Sequence, residues 1–285
     1  STVIVDAEQP GWGCSSRNGG QVSGEVKPSY KALARLHGPA QAYAIIAEAR
    51  SALRWVGDFI NDEGIDCDYR HCGRFHAAHS AQQYTTQKQE FKSQVKRLER
   101  DGHLVDKTQI KNEVDSPFYH GGLVISEHAS LDTARYHQGL YERALASGCQ
   151  VVDNYRAQNI VRNTDGFNLS TAKGQIRAGK VIVATSGYTG SATPWHQRRI
   201  IPIGSYMLAT EMLDPDLALS LIPNDRVVSD TRKLVVYYRL SPDGRRILFG
   251  GRVSHKETDP IRSAGPLRLE MLRIFPQLTG AKVTH

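Results

Sequence analysis

An apolar run, Val3 to Val5, ends in Asp6 and is followed by a glycine-rich loop, GWGCSSRNGGQV, from Gly11 to Val22. Unbroken β-branched residues suit a short strand covered on both faces, as in a parallel sheet. A carboxylate at the carboxyl end of such a strand can accept hydrogen bonds from both hydroxyls of a ribose. The glycines beyond it offer unhindered backbone N–H groups, and Ser15, Ser16 and Asn18 offer short polar side chains. Such a set suits a pyrophosphate, and Arg17 adds a positive charge. The bland alternative is a structural strand that happens to end in an acid.

A second group stands late in the chain. Tyr237, Tyr238 and Arg239 fall on one expected strand, and Arg252 follows Gly250–Gly251 on its hairpin partner. Strand alternation puts Tyr237 and Arg239 on one face and Tyr238 on the other. Phenol and guanidinium together can hold a carboxylate, Arg through two bonds and Tyr through one. Alternatively both tyrosines are core aromatics and Arg239 a surface residue.

Helices and strands must position these groups. Apolar residues recur at helical spacing from Pro39 to Glu63, and Gly64 supplies the stop. A strand is expected over Asp68–Ala78, a polar helix over Ala81–Gly102, a short helix over Lys107–Val114 and a strand over Phe118–Ser126. Asp132 caps a further helix that Gly148 closes. A meander follows: Gln150–Asp153, Ala157–Asn163, Gly166–Ser170 and Gln175–Ala178, with a hairpin turn at Thr164, Asp165 and Gly166. KVIVATSGYTG, Lys180–Gly190, reads as a buried strand running into a small-residue turn, the usual ligand edge of an open α/β sheet. Arg199–Leu213 reads as a strand pair with Pro202 at an edge or kink. Leu234–Leu240 and Arg246–Gly251 form a hairpin around Ser241–Gly244, and a helix runs from Pro260 to Phe275. Lys282–His285 reads as the opening of another strand.

The 285 residues suffice for one large or two ordinary domains. No apolar run reaches the ~20 residues of a membrane span. The net charge of +7 is scattered rather than clustered, which favours a basic solvated surface over nucleic-acid binding. Four cysteines in a chain of this length fit a reduced, cytoplasmic setting. Cys67, His71 and Cys72 lack a second ligand pair at finger spacing, so no metal site is expected.

Asp6, Gly11, Gly13, Ser15, Arg17, Asn18, Gly19, Gly20 and Gln21 resemble the acid and Gly-x-Gly-Ala-Ser-Gly-Arg-Asn-Gly-Gly-Gln loop of FAD-dependent oxidoreductases of the D-amino-acid-oxidase type. Within that family the loop is most similar to the gamma-glutamylputrescine oxidase branch. Cys14 and Ser16 depart from it, and Ser16 reaches a positive φ less readily than glycine. His128 is what remains of a His-rich segment in the relatives, and it reads as a loop histidine.

The resemblance implies a mixed α/β fold, with a Rossmann-like FAD-binding part interleaved with a mostly antiparallel substrate sheet. FAD-binding segments are expected at 1–30 and 127–193, and helical and substrate-binding segments at 31–126 and 194–285. It implies that Asp6, Ser15, Ser16, Arg17, Asn18, Gly19, Gly20 and Gln21 hold FAD. Ala157 would present its backbone to the adenine, and Ala184, Thr185 and Gly187 would line the flavin nucleotide. Tyr237, Arg239 and Arg252 would bind the substrate. The implied reaction is oxidation of an amine or amino acid, with oxygen or another acceptor, and with no protein residue assigned as a catalytic base. A flavin-binding subunit, a tRNA-modifying relative or an inactive fragment are the alternatives. In such folds a Gly-x-Gly-x-x-Gly turn precedes the ribose acid by about 20 residues. Only five residues precede Asp6, so the chain reads as the middle of a longer flavoenzyme.

Overall fold

The computed structural model describes residues 1–98, 101–252 and 259–284, apart from the side chains of 93–98, Arg252 and Pro260. The first elements are strands β1 (Val3–Val5) and β2 (Gln21–Ser23) and helices α1 (Tyr30–His37) and α2 (Pro39–Asp62). Next come β3 (Arg74–Ala77), α3 (Ala81–Leu98), β4 (Gly102–Asp106), β5 (Gly121–Ile125), β6 (His128–Ser130) and α4 (Thr133–Ala146). Strands β7 (Gln150–Val152), β8 (Ala157–Asn163), β9 (Gly166–Thr171) and β10 (Gly174–Ala178) precede the short α5 (Pro194–Gln197). The remaining elements are β11 (Ser205–Ala209), α6 (Pro215–Leu221), β12 (Val227–Asp230), β13 (Val236–Leu240), β14 (Ile247–Arg252) and α7 (Pro260–Ile274). No described helix is long and apolar enough to cross a membrane.

Ser1–Arg17 and Ala134–Gly204 form one compact unit. In it β1 pairs in parallel with β7, Val3 opposite Gln150 and Val5 opposite Val152, and the Asp6 N–H extends the ladder to the Val152 carbonyl at 3.0 Å. The expected meander loses its first member to this pairing. Strands β8, β9 and β10 make an antiparallel sheet of three, turned at Asn163, whose Oδ1 accepts from Asp165 N–H at 3.0 Å. Lys180–Ala184 is a correction: it forms no strand. Ile182 is 91% exposed, and the segment has no ladder partner among the described residues, so its β-branched pattern has nothing to pair with.

The second unit comprises Asn18–Thr133 together with 205–252 and 259–284. Its seven-stranded sheet runs β11-β14-β13-β12-β3-β5-β4, antiparallel except where β12 lies parallel to β3. β2 and β6 form a separate antiparallel pair, so His128 sits in a strand opposite Ser23 rather than in a loop. The β13–β14 hairpin turns at Ser241–Gly244 as its residues require. Other expectations shift. α3 ends at Leu98, with Glu99 and Arg100 outside the described residues, and Gly102 opens a strand instead. The Lys107–Val114 helix is a six-residue 3-10 helix. Arg199–Leu213 yields one strand, β11. Near the end, Val283 makes only an isolated bridge to Thr210, and His285 lies outside the described residues.

The alternation of side chains gives this sheet two unlike faces. Phe75, Val228, Tyr238 and Phe249 share one face, covered by Met271 and Ile274 of α7 with Phe275 just beyond it, and by Leu221 and Ile222. The Tyr238 ring stacks on Phe249 at 5.5 Å and meets Phe275 edge-on at 5.3 Å, while its hydroxyl donates to the buried Tyr119 hydroxyl at 3.1 Å. Phe249→Ala should destabilise the chain by about 3–5 kcal/mol, the usual cost of emptying a fully buried aromatic site. A urea melt shifted by less than a third of that would show that the stack is not central to the core.

Candidate active site

In the first unit Asp6 is tied to the chain ahead of β8, and the glycine loop packs against Tyr188. One Asp6 carboxylate oxygen accepts from Glu8 N–H at 3.0 Å, and the Asp6 carbonyl accepts from Tyr155 N–H at 2.8 Å, which brings the start of β8 and Ala157 alongside. A Cβ on Gly13 would stand 3.2 Å from the Tyr188 ring, so the glycine loop packs against the turn that holds Ala184, Thr185 and Gly187. Trp12 meets Tyr188 at 6.0 Å, and the Arg17 guanidinium lies over Trp12 at 5.1 Å. The Ser16 hydroxyl donates to the Gly11 carbonyl, and Ser16 adopts no positive φ, so its replacement of glycine leaves the loop unstrained.

In the second unit the continuation of the loop is fixed by backbone and guanidinium. Asn18 Oδ1 accepts from Gly20 N–H at 2.9 Å, and Leu131 N–H donates to the Gly20 carbonyl at 2.9 Å. Gly20 has a φ of +60°, and a Cβ there would overlap the Leu131 carbonyl oxygen and stand 2.6 Å from Arg239 Nη2. Arg239 is 4% exposed and donates from Nε to the Gly19 carbonyl at 2.8 Å and from Nη2 to the Leu131 carbonyl at 2.7 Å. Arg239, expected to bind a substrate carboxylate, thus has Nε and Nη2 held by two backbone carbonyls, one in the loop and one just ahead of α4. Burial, and next the neighbouring Arg70, hold its pKa below the usual arginine range.

Tyr237 shares the face of Arg239, as alternation requires. Its ring lies over Gly250, where any Cβ would collide with it, and 3.2 Å from where a Cβ of Gly19 would be. Its hydroxyl is 3.0 Å from the Ser205 hydroxyl. Gln21, in β2, keeps Nε2 buried with no hydrogen-bond partner among the described residues. The side chain of Arg252 lies outside the described residues; its backbone pairs with Ser205.

The same polar face carries residues that sequence reading missed. Ser229 is opposite both Tyr237 and His76, and Arg74 is two residues before His76 on β3. Arg74 bonds Ser229 Oγ at 2.9 Å through Nε, Glu25 at 2.5 Å through Nη1 and His76 Nδ1 at 3.0 Å through Nη2. Burial lowers the Arg74 pKa to about 10. Burial, and next the Arg74 charge, lowers that of His76 to about 3, so the ring is neutral. The signal was present as an Arg-Phe-His-Ala alternation, a polar stripe opposite an apolar one.

Two measurements check this geometry. Gly20→Ala should cost about 1–3 kcal/mol for the left-handed backbone alone, with the displaced Leu131 carbonyl adding to it. An unchanged urea midpoint would mean that the loop is not held as described. The folded His76 ring takes a proton only near pH 3 and the unfolded one near 6.5. Its neutrality thus favours folding above pH 6.5, and that contribution is lost as pH falls from 6.5 toward 3. The wild-type chain should lose stability across that window more steeply than His76→Phe; equal slopes would show that His76 titrates normally.

The chain is 31% identical over 288 residues to the gamma-glutamylputrescine oxidoreductase of Escherichia coli, covering 99% of this chain and 66% of the relative. It is 26% identical to a probable oxidoreductase, OrdL, of Rhizobium meliloti, again covering 99% of this chain and 65% of the relative. The chain thus spans just under two thirds of the length of the curated relatives it matches. Among solved structures, glycine oxidase from Geobacillus kaustophilus shares the fold, with a TM-score of 0.71 at 15% identity over 99% of this chain and 74% of that one. The family model described as FAD dependent oxidoreductase, DAO, matches residues 1–285. The chain belongs to the DAO family of FAD-dependent oxidoreductases.

Proposed function

We propose that the protein oxidises the carbon–nitrogen bond of a small amine or amino acid with FAD as its cofactor. The observation that carries this reading is the loop from Gly11 to Gln21, which offers glycine backbone, a buried Gln21 Nε2 with no partner among the described residues, and the adjacent Tyr237 ring. The donor set fits FAD. In the first unit the Asp6 carboxylate suits the ribose, Ser15, Ser16 and Arg17 suit the pyrophosphate, and Ala157, Ala184, Thr185 and Gly187 offer backbone to the nucleotide. In the second unit Asn18, Gly19, Gly20 and Gln21 suit the ring system, with Gln21 Nε2 a donor that has no acceptor among the described residues.

Bound FAD supplies a two-electron acceptor for the C–N bond. The chain's own part is to hold the amine and keep water away. Tyr237 offers a ring wall and a hydroxyl, and Arg239 fixes the loop beside it. With Arg239 committed to carbonyls, Arg252 and Tyr237 remain as the partners for a substrate carboxylate. Gamma-glutamylputrescine, as oxidised by the Escherichia coli relative, is one candidate substrate. Electrons would leave to oxygen or another acceptor, and the protein would work in the cytoplasm, where its cysteines stay reduced.

Asp6→Ala would remove two charge-assisted hydrogen bonds to the ribose, each worth roughly 1.5–3 kcal/mol. FAD affinity should therefore fall at least tenfold, measured by flavin absorbance retained after dialysis. Equal retention by wild type and variant would sink the assignment. Anaerobic bleaching of the flavin by gamma-glutamylputrescine, but not by a simple alcohol, would test the reaction class.

A further inference from the structure

A strand side chain ordinarily stands out from its sheet. That of Tyr237 lies down along it. Tyr237 is opposite Gly250 of β14, and Gly250 is opposite Met207 of β11, so the three share one line and one face. Ser205 precedes Met207 by two residues and faces the same way. Two strand spacings, about 10 Å, separate β13 from β11. The Tyr237 hydroxyl nonetheless lies 3.0 Å from the Ser205 hydroxyl.

Gly250 makes that reach possible. A Cβ there would overlap the Tyr237 ring and stand 2.8 Å from its hydroxyl oxygen. Gly250 is not among the glycines with positive φ, so the ring rather than the backbone demands the missing side chain. On the loop side a Cβ of Gly19 would stand 3.2 Å from the same ring. Glycine backbone thus bounds the ring on two sides, and Ser205 tethers its tip. The direction of the hydroxyl proton is the freedom that is left. Two hydroxyls hold two protons, and one lies between them. A carboxylate can only accept, so when one meets Tyr237 the phenol donates outward and takes the Ser205 proton inward. Bonds aligned in this way strengthen each other.

We propose that Ser205 is a positioning residue: it holds Tyr237 flat over Gly250 and turns the phenolic proton toward the substrate. Ser205 acts through Tyr237 rather than on the substrate. Its ladder partner is Arg252, so the tether draws the phenol toward the strand position of the second candidate for a substrate carboxylate. Ser205 is exposed, and a serine with no such duty could be replaced at little cost. The consequence for turnover rests on the reading of Tyr237 given above; the tether itself does not.

The test is steady-state oxidation of gamma-glutamylputrescine by the holoenzyme, with calorimetric titration by glutarate, a dicarboxylate that has no amine to oxidise. Loss of one hydrogen bond in Ser205→Ala should raise KM and the glutarate Kd about five- to tenfold. The kcat should stay within about twofold, since the bond is made in ground and transition states alike. Ser205→Thr, which restores the hydroxyl on a strand-favouring residue, should return both constants to within about twofold of wild type. Gly250→Ala keeps both hydroxyls but drives the ring aside, and should repeat the Ser205→Ala loss. In a Tyr237→Phe background, Ser205→Ala should add nothing further. Melting curves and flavin content establish that each variant folds. Wild-type constants in Ser205→Ala, no rescue by Ser205→Thr, or additive losses with Tyr237→Phe overturn the positioning role, while wild-type turnover keeps the redox reading. If wild type does not turn over, urea unfolding decides the tether: non-additive costs of Ser205→Ala and Tyr237→Phe keep it, and additive ones remove it. A wild type that also retains no FAD removes the redox reading and leaves the tether to that measurement.

Discussion

A buried guanidinium bonded to two backbone carbonyls organises the second unit. Arg239 rises from the middle of a sheet strand and holds Gly19 and Leu131 at the same time, joining the glycine loop to the chain that leads into α4. A buried cation without a carboxylate in direct contact among the described residues is costly, and Asp225 and Asp132 offset its charge only from a distance. The two charge-assisted bonds compensate locally, and they do so only when the loop adopts one shape. Gly20 can have no side chain because Arg239 and Leu131 occupy the space, and Tyr237 lies flat because Gly250 leaves room beneath it. The conformation of the loop is thus a property of the sheet as much as of its own glycines.

Beneath that clamp, one sheet serves two purposes through the simplest property of a strand. Phe75, Val228 and Tyr238 enter the core, while their neighbours Arg74, His76, Ser229, Tyr237 and Arg239 form a connected polar layer on the other side. The rigidity of the aromatic stack behind Tyr238 fixes the positions of the polar groups in front. Precise placement of hydrogen-bonding groups needs such backing, since a side chain is only as well located as the backbone that carries it.

Much of this could be read from the residues in order. The β13–β14 hairpin follows from Ser-Pro-Asp-Gly between two alternating runs, and helix α2 from its apolar spacing bounded by Pro39 and Gly64. The loop after Asp6 was legible because glycines and short polar residues have few other uses in that density. What failed was long-range. Val181–Ala184 has strand composition but no partner, and composition does not reveal partners. Gly102 reads as the end of a polar helix, yet pairing with β5 makes Gly102–Asp106 a strand. The partners of Arg239 were hidden because the carbonyls it binds lie 220 and 108 residues away in the chain. Arg74 and His76 showed their shared face but not Ser229, which lies 153 residues beyond His76.

The parallel junction between β12 and β3 sets the order in which this chain can become a protein. β3, β5 and β4 can pair soon after they are made, since fewer than 60 residues span them. The other edge of β3 must then wait for a strand that begins at Val227. At the usual pace of synthesis, about 5–20 residues per second, the stretch from Ile125 to Val227 takes roughly 5–20 s. Throughout it a row of N–H and C=O groups beside Phe75 and Ala77 stands open, an invitation to any passing strand. The ribosome-bound chain is therefore at its most vulnerable in mid-translation, along the β3 edge that faces away from β5.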